Sequence, residues 1–374
     1  MSECNCKKIE DIAKKFQFEG EFVDACPWGS GHINDTFLLT YHNAIMGEVK
    51  GNFKVILQKM NKNIFTKPVE LMENVTGVTN FLYKKVVEAG GDPMRETLNV
   101  IPTKEGVGFY IDEEGEYWRA YVYITDAVTY DLVENEEDFY QSAVAFGRFQ
   151  NLLSDYPAET LHETIPHFHD TRDRLRLFKQ AVEADVMGRA SSVEKEIQFV
   201  LDREEDACFF AELLDKKEIP LRVTHNDTKL NNVMIDIVTR KGICVIDLDT
   251  VMPGLAVFDY GDSIRFGAST GAEDEKDLSK VQCSMSLFEI YTKGFLEGCG
   301  GKLTKRELEL LPMGAKVMTL ECGMRFLTDY LQGDTYFKIH REGHNLDRCR
   351  TQFKLVQDME SKWDTMNEIV HKYF

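Results

Sequence analysis

Residues 222–261 read RVTHNDTKLNNVMIDIVTRKGICVIDLDTVMPGLAVFDYG. A short run ends in His225-Asn226-Asp227, and Asn232 opens the alternating segment Val233-Met234-Ile235-Asp236. A basic turn at Arg240-Lys241-Gly242 leads into the apolar run Ile243 to Ile246, which ends on Asp247 and Asp249. Alternation flanked by turn residues predicts two short strands joined by a turn, whose pairing brings the polar ends together. Asp227 then sits beside Asn232 and Asp247, with Asp249 close by. An amide oxygen and several carboxylates make an all-oxygen site. Such a site suits Mg2+ better than zinc, which draws histidine and cysteine. Aspartate and asparagine are also ordinary turn residues, and Asp236 reads that way. Three polar groups at the ends of two apolar strands are costly to bury unless paired or metal-bound.

The 374 residues, 43% of them hydrophobic, are enough for two lobes with cores of their own. The net charge of -19 disfavours broad contact with nucleic acid or an anionic bilayer. It does not disfavour a small phosphate-bearing ligand, because a local basic group and a divalent cation can offset its charge. Nine cysteines are scattered along the chain, and Cys4-Asn5-Cys6 lacks the partner pair of a zinc knuckle. Cys208, Cys244, Cys283 and Cys322 lie among apolar neighbours, as reduced core residues do. Residues 1–20 lack an apolar core and a cleavage-like site, and no apolar run approaches a membrane span. The expectation is a cytoplasmic protein without a membrane segment.

The pattern H-x-D-x4-N at His225, Asp227 and Asn232, followed by the strand-borne Ile246-Asp247, resembles the aminoglycoside phosphotransferase and choline kinase superfamily. That superfamily is a branch of the protein-kinase-like fold. The whole chain, with HNDTKLNNV, VIDLDTVMPG and the late HNLDRCRTQF, is similar to bacterial N-acetylhexosamine 1-kinases. The resemblance implies a two-lobed α+β fold. Residues 1–126 would form a nucleotide-binding lobe of sheet and helix, and 127–374 a mainly helical lobe with the catalytic hairpin and acceptor site. It implies that Asp227 faces the acceptor hydroxyl while Asn232 and Asp247 hold Mg2+ on the phosphates of ATP. Asp249 would bind a second Mg2+ or a water, and Asp259 resembles the buried aspartate that braces the catalytic loop.

Earlier in the chain, Gly29 and Gly31 allow a loop to approach phosphates, with Ser30 and backbone N–H groups as donors. A simple hairpin turn is the other reading, and Asn34 and Asp35 equally suit turns. Lys54 to Met60 reads as a buried strand, and the resemblance places a phosphate-pairing basic residue there, for which Lys59 is the candidate. Gln58 and Lys59 point to opposite faces, so only one of them meets ATP, and which one stays open. Val69 to Val87 has helical spacing, with Glu70 or Glu73 as the acidic partner of Lys59 or as plain surface charge. Val100 to Thr103 and Val107 to Ile111 read as strands across a glycine-containing turn. Trp118 to Thr125 reads as an edge or core strand, and the resemblance implies that it leads to a hinge with Tyr123 and Ile124 as nucleotide-site candidates.

Helical patterns follow at 139–153, 174–187, 193–214, 278–296 and 305–331. The loop 160–169 holds His162, His167 and His169 but no persuasive fourth zinc ligand. By resemblance it lies on the acceptor side, with Phe168, His169 and Arg172 as contacts, although Arg172 equally suits a helix cap. The late segment carries Arg341, His344, Asn345, Arg348 and Arg350, which suit salt bridges to an acidic body. The resemblance instead points His344, Asn345 and Arg348 at a sugar pocket.

The expected reaction is transfer of the γ-phosphoryl group of ATP to the anomeric hydroxyl of N-acetylglucosamine or N-acetylgalactosamine. A kinase of the same fold for choline, an aminoglycoside or another sugar competes with it. A nucleotide-binding regulatory module also competes, but nucleotide binding alone does not call for a residue facing an acceptor. A protein kinase is disfavoured, because VIDLDTV stands where a DFG-to-APE segment would begin.

Overall fold

Apolar alternation in the first third of the chain builds an antiparallel sheet with two unlike faces. The structure, a computed structural model, describes the backbone of residues 3–29, 33–46 and 49–374. Helix α1 (Glu3–Ala13) precedes β1 (Glu19–Pro27), β2 (Asp35–Met46) and β3 (Val49–Lys59). Then come α2 (Pro68–Glu88), α3 (Pro93–Glu96), β4 (Val100–Ile101), β5 (Tyr110–Ile111) and β6 (Tyr117–Val122). The strand order is β1-β2-β3-β6-β4, with β5 also paired to β6. The turn expected near Gly106 is present, but β4 and β5 do not pair with each other. Ile101 lies opposite Ala120 and Tyr110 opposite Trp118, because the longer β6 offers both segments a ladder.

Val55, Leu57, Trp118 and Ala120 cover one face and pack with Ile9 and Phe16 of the N-terminal segment. The opposite face meets α2, whose Leu71, Val75 and Val78 cluster with Tyr121 and Met60. Phe149, Val223 and Leu248 of the second lobe belong to the same cluster. One side of α2 therefore joins the sheet to Val223, Leu248 and Val251 through apolar burial.

The second lobe runs through β7 (Ala127–Val128), α4 (Glu136–Leu152), α5 (Thr171–Ala184), α6 (Glu194–Leu201), α7 (Glu204–Asp215), β8 (Arg222–Thr224), β9 (Val233–Asp236), β10 (Gly242–Val245) and β11 (Met252–Gly254). It ends with α8 (Ala256–Gly267), α9 (Met285–Cys299), α10 (Lys305–Glu309), α11 (Leu311–Gln332), α12 (His344–Ser361) and α13 (Trp363–His371). The single helices expected over 193–214 and 305–331 are each two. The second break falls at Leu310, where Pro312 suits a first turn but not a helix interior. The helix expected from Leu278 starts at Met285, capped by the Ser284 side chain.

Helices α4 and α9 cross almost backbone to backbone. A Cβ on Gly147 would lie 2.2 Å from the Phe295 carbonyl, and one on Gly298 would lie 2.3 Å from that of Val144. The cysteines from Cys6 to Cys349 are free thiols, and Cys244, Cys283, Cys299 and Cys349 are buried. Burial pushes the Cys244 and Cys283 thiols up to about 12 and that of Cys322 up to about 11. Among the described residues no helix is long and apolar enough to cross a membrane. The architecture is a two-lobed α+β, kinase-like fold.

Candidate active site

The hairpin of β9 and β10 sets Val233 opposite Val245, and the Ile246 N–H donates to the Asn232 carbonyl at 2.9 Å. This register places Asn232 and Asp247 side by side at the hairpin's end. Asp247 holds a left-handed backbone (φ +58°), which a non-glycine residue adopts only where its surroundings fix it. Strand β8 pairs with β11, not with the hairpin, so the loop from His225 leaves beside the segment that follows Asp249.

That loop is tied at almost every polar atom. The Asp259 carboxylate, buried on α8, accepts the N–H groups of His225 (2.9 Å) and Asn226 (2.8 Å) and the Gln150 amide (2.7 Å). Burial raises the Asp259 pKa, opposed by His225 and by these N–H donors. The His225 ring accepts from the Asp227 N–H at Nδ1 (3.3 Å) and faces the Ile246 carbonyl with Nε2 (2.8 Å). One neutral tautomer satisfies both contacts.

The Asp227 carboxylate is 29% exposed and meets Lys229 Nζ at 2.8 Å. Asn232 Nδ2 donates to the Asp227 carbonyl at 2.8 Å and reaches its carboxylate at 3.4 Å. With its nitrogen spent there, Asn232 keeps its amide oxygen as the atom able to ligate a cation. Asp247 is exposed to solvent although protein surrounds much of its carboxylate. Burial first, then the carboxylates of Asp249 and Asp227, push it up to about 6, against His225 and Arg119. A carboxylate crowded by carboxylates beside a free amide oxygen is a donor set that fits a hard divalent ion. Lys229 was not singled out from the sequence. Its signal was its place two residues after Asp227, and Asp227 raises its pKa against the cost of burial.

Asp249, expected as a metal ligand, is committed elsewhere. Its Oδ1 meets Arg119 at 2.5 Å and its Oδ2 accepts from Asn34 at 2.7 Å. Lys59 also departs from expectation. It shares the outer face with Val55 and Leu57 and pairs with Asp35 at 2.7 Å. Gln58 faces inward, accepting from Arg119 Nε at 3.0 Å and donating to Thr36 at 2.9 Å. Glu73 meets His162 at 2.7 Å, so the expected Lys59–Glu73 pair does not form. The buried cation beside the catalytic segment is Arg119, one strand over and in register with Gln58. Burial would lower its pKa, but Asp249 raises it. The sequence did show a lone charge in an apolar strand.

Of the nucleotide-loop residues, Gly29 adopts φ +82°, while Ser30 and Gly31 lie outside the described residues. Tyr123 meets Trp28 edge-on, and Lys54 lies over its ring. Ile124 is buried.

Of the acceptor-side candidates, Phe168, His169 and Arg172 line one cavity, where Arg172 pairs with Asp215 at 2.6 Å. Asn345 is fully buried and donates to Asp329 (2.8 Å) and Asp334 (2.9 Å), so it shapes a turn and does not line a pocket. Asp329 in turn accepts the N–H groups of Thr335, Tyr336 and Phe337. His344 meets Asp274 at 3.0 Å, and Arg348 lies over the Phe326 ring and near Glu273. Phe168 does face an open cation: the Arg325 guanidinium lies 5.1 Å from its ring and within reach of Tyr336 and Phe337. Arg325 was not anticipated, since it sits inside an otherwise apolar helix pattern. His169 bridges Glu321 and the Asn226 carbonyl. A cavity of about 270 Å³ opens beside it, with Asn226, Gly254 and Phe258 in its wall but not Asp227, Asn232 or Asp247.

Residues 89–283 match the phosphotransferase enzyme family (APH). Similar solved structures span the whole fold. A microcompartment-associated aminopropanol kinase is 12% identical with a TM-score of 0.56, covering 96% of this chain and 98% of its own. A choline kinase from Cryptosporidium parvum Iowa II is 15% identical with a TM-score of 0.55, covering 98% and 99%. An amicoumacin kinase in complex with AMP-PNP and Ca2+ is 10% identical with a TM-score of 0.55, covering 97% and 94%. At these identities the likeness is one of fold.

Proposed function

The chain belongs to the phosphotransferase enzyme family, and on that premise we propose that it phosphorylates the anomeric hydroxyl of N-acetylglucosamine or N-acetylgalactosamine. The coarser statement, a small-molecule phosphotransferase, follows from the family itself. The observation that supports transfer to a hydroxyl is a half-open carboxylate, Asp227, flanked by Lys229 and Asn232 and held at its own backbone.

Asp227 orients the sugar hydroxyl and accepts its proton as the oxygen bonds to the γ-phosphorus of ATP. The bond from that phosphorus to the β–γ bridging oxygen breaks, and its electron pair leaves with ADP. Bound through the Asn232 oxygen and the Asp247 carboxylate, Mg2+ would neutralise the phosphate chain. Lys229 places a cation beside the transferred group, and the fixed loop holds the reacting atoms in line.

Arg325 supports a sugar over a cationic alcohol. Its guanidinium has no hydrogen-bond or ion-pair partner among the described residues and lies near the Phe168, Tyr336 and Phe337 rings. Donors beside aromatic faces suit a polyhydroxylated ring. A quaternary ammonium would compete with Arg325 for those faces. A kinase for another small alcohol is the alternative.

The test is Mg2+-dependent ATP consumption with free sugars, choline and an aminoglycoside, with the product identified by phosphorus NMR. A 1-phosphate from either N-acetylhexosamine bears the reading out. Turnover only with a cationic alcohol discards the sugar and keeps the chemistry, and tight ATP binding without turnover favours a regulatory module.

A further inference from the structure

We infer that His169 is a positioning residue for Asp227, acting as an imidazolium that ties the Asn226 carbonyl to the buried carboxylate of Glu321. The inference rests on the proposed role of Asp227 at the acceptor.

The peptide unit between Asn226 and Asp227 is gripped from both ends. Its N–H donates to His225 Nδ1 at 3.3 Å, and its carbonyl oxygen lies 3.0 Å from His169 Nε2. Asn226 itself is left-handed (φ +65°), a conformation that persists where the surroundings over-determine it. Its N–H is taken by Asp259 and its side-chain amide by the Thr250 carbonyl. Among the described residues, the one hydrogen bond to this peptide from outside residues 222–261 is that of His169.

The protonation state follows from geometry. His169 Nδ1 lies 2.7 Å from Glu321 Oε1, and Nε2 faces a backbone carbonyl. Both partners are acceptors, so a neutral ring would leave one nitrogen lone pair against an oxygen, and only the doubly protonated ring satisfies both. His225 is the contrast, since it faces one donor and one acceptor. Glu321 is 1% exposed, and its other oxygen accepts from Thr171 at 2.6 Å. The ring and carboxylate thus neutralise each other where water is excluded.

The charged groups around the pair come from several elements. Arg325 on α11 opposes the imidazolium, and Arg174 on α5 shares the field of Glu321. Asp262 on α8 favours it, and it is itself bound by Arg265. On the loop, His167 and Asp170 pair with each other at 3.4 Å. Burial lowers the His169 pKa, but Glu321 more than compensates and the net direction is upward.

The experiment uses the full chain labelled with 15N-histidine, its His169 signals assigned by their absence in His169→Gln. Both ring nitrogens should be protonated at neutral pH; a singly protonated ring overturns the inference. Kinetics with MgATP and N-acetylglucosamine supply the second readout. His169→Ala should lower kcat by on the order of tenfold to a hundredfold, with KM for ATP unmoved. His169→Gln, which can still donate to the Asn226 carbonyl, should recover part of that loss.

Glu321→Gln keeps the ring but removes its anion, so the alkaline fall in kcat should move to lower pH. An unmoved profile, or full kcat in a folded His169→Ala, overturns the inference. Unchanged turnover in Asp227→Asn instead sinks the reading of Asp227, and the NMR result stands apart from it.

Discussion

Replacing Arg119 by methionine should cost about 3–4 kcal/mol of stability, the lower part of the range for breaking a buried ion pair. The guanidinium and the Asp249 carboxylate are 1% and 4% exposed and lie 2.5 Å apart. Breaking a buried pair by removing one partner typically costs about 3–5 kcal/mol, because the remaining charge has neither water nor counter-ion. Asp249 would keep only the Asn34 amide at 2.7 Å on its carboxylate. Methionine replaces most of the stem volume, so the cavity contribution is small. Urea unfolding followed by tryptophan fluorescence measures the loss. In an Asp249→Asn background, Arg119→Met should cost at least about 2 kcal/mol less than alone. A loss below about 1 kcal/mol, or an equal loss in both backgrounds, would refute the account.

Asp227→Asn should lower kcat by roughly 10² to 10⁴-fold while calorimetry finds ATP affinity little changed; a fall confined to ATP affinity contradicts its role at the acceptor. Gly147→Ala forces a methyl group to 2.2 Å from the Phe295 carbonyl, and strain of about 1–3 kcal/mol should exceed the ~1 kcal/mol gain in helix propensity. Denaturant unfolding that finds the variant more stable would show that the crossing can open. The His169–Glu321 pair should give stability a pH window. The raised His169 pKa contributes fully below its ordinary 6.5 and fades as pH rises through the folded value. The lowered Glu321 pKa contributes above its ordinary 4.5 and fades as pH falls through the folded value. Glu321→Gln should flatten both limbs in urea titrations across pH, and identical curves would count against the pair.

The catalytic segment was legible because its chemistry and its strand pattern coincide. Asn232 and Asp247 are the polar ends of two strand-like runs, and the register that sets Val233 opposite Val245 also brings those ends together. The upper-lobe sheet and α2 were visible for the same reason. What periodicity cannot show is which neighbour a polar side chain selects. Lys59 sits where a phosphate-pairing residue was expected, but parity with Val55 and Leu57 turns it outward. The inward cation, Arg119, is far away in sequence and adjacent only once β3 and β6 pair. Asn345 drew notice as a polar residue in a basic segment, yet it is consumed by Asp329 and Asp334, whose positions no local pattern specifies. Asp249 shares a motif with Asp247 but follows a left-handed residue, and the turn aims the two carboxylates at different partners.

The buried thiols make the chain its own reporter of unfolding. Cys283 and Cys299 lie in the main core of the second lobe, Cys349 is on α12 in a cluster with Leu320 and Met324 of α11, and Cys244 is in the hairpin strand. Burial holds each of them far above neutral pH, so an alkylating reagent meets almost no thiolate while the fold is intact. Each site becomes reactive only when its own surroundings open, and mass spectrometry can date those openings separately. The order in which the four acquire label would then rank the stability of the hairpin, the central core and the outer helices within a single molecule.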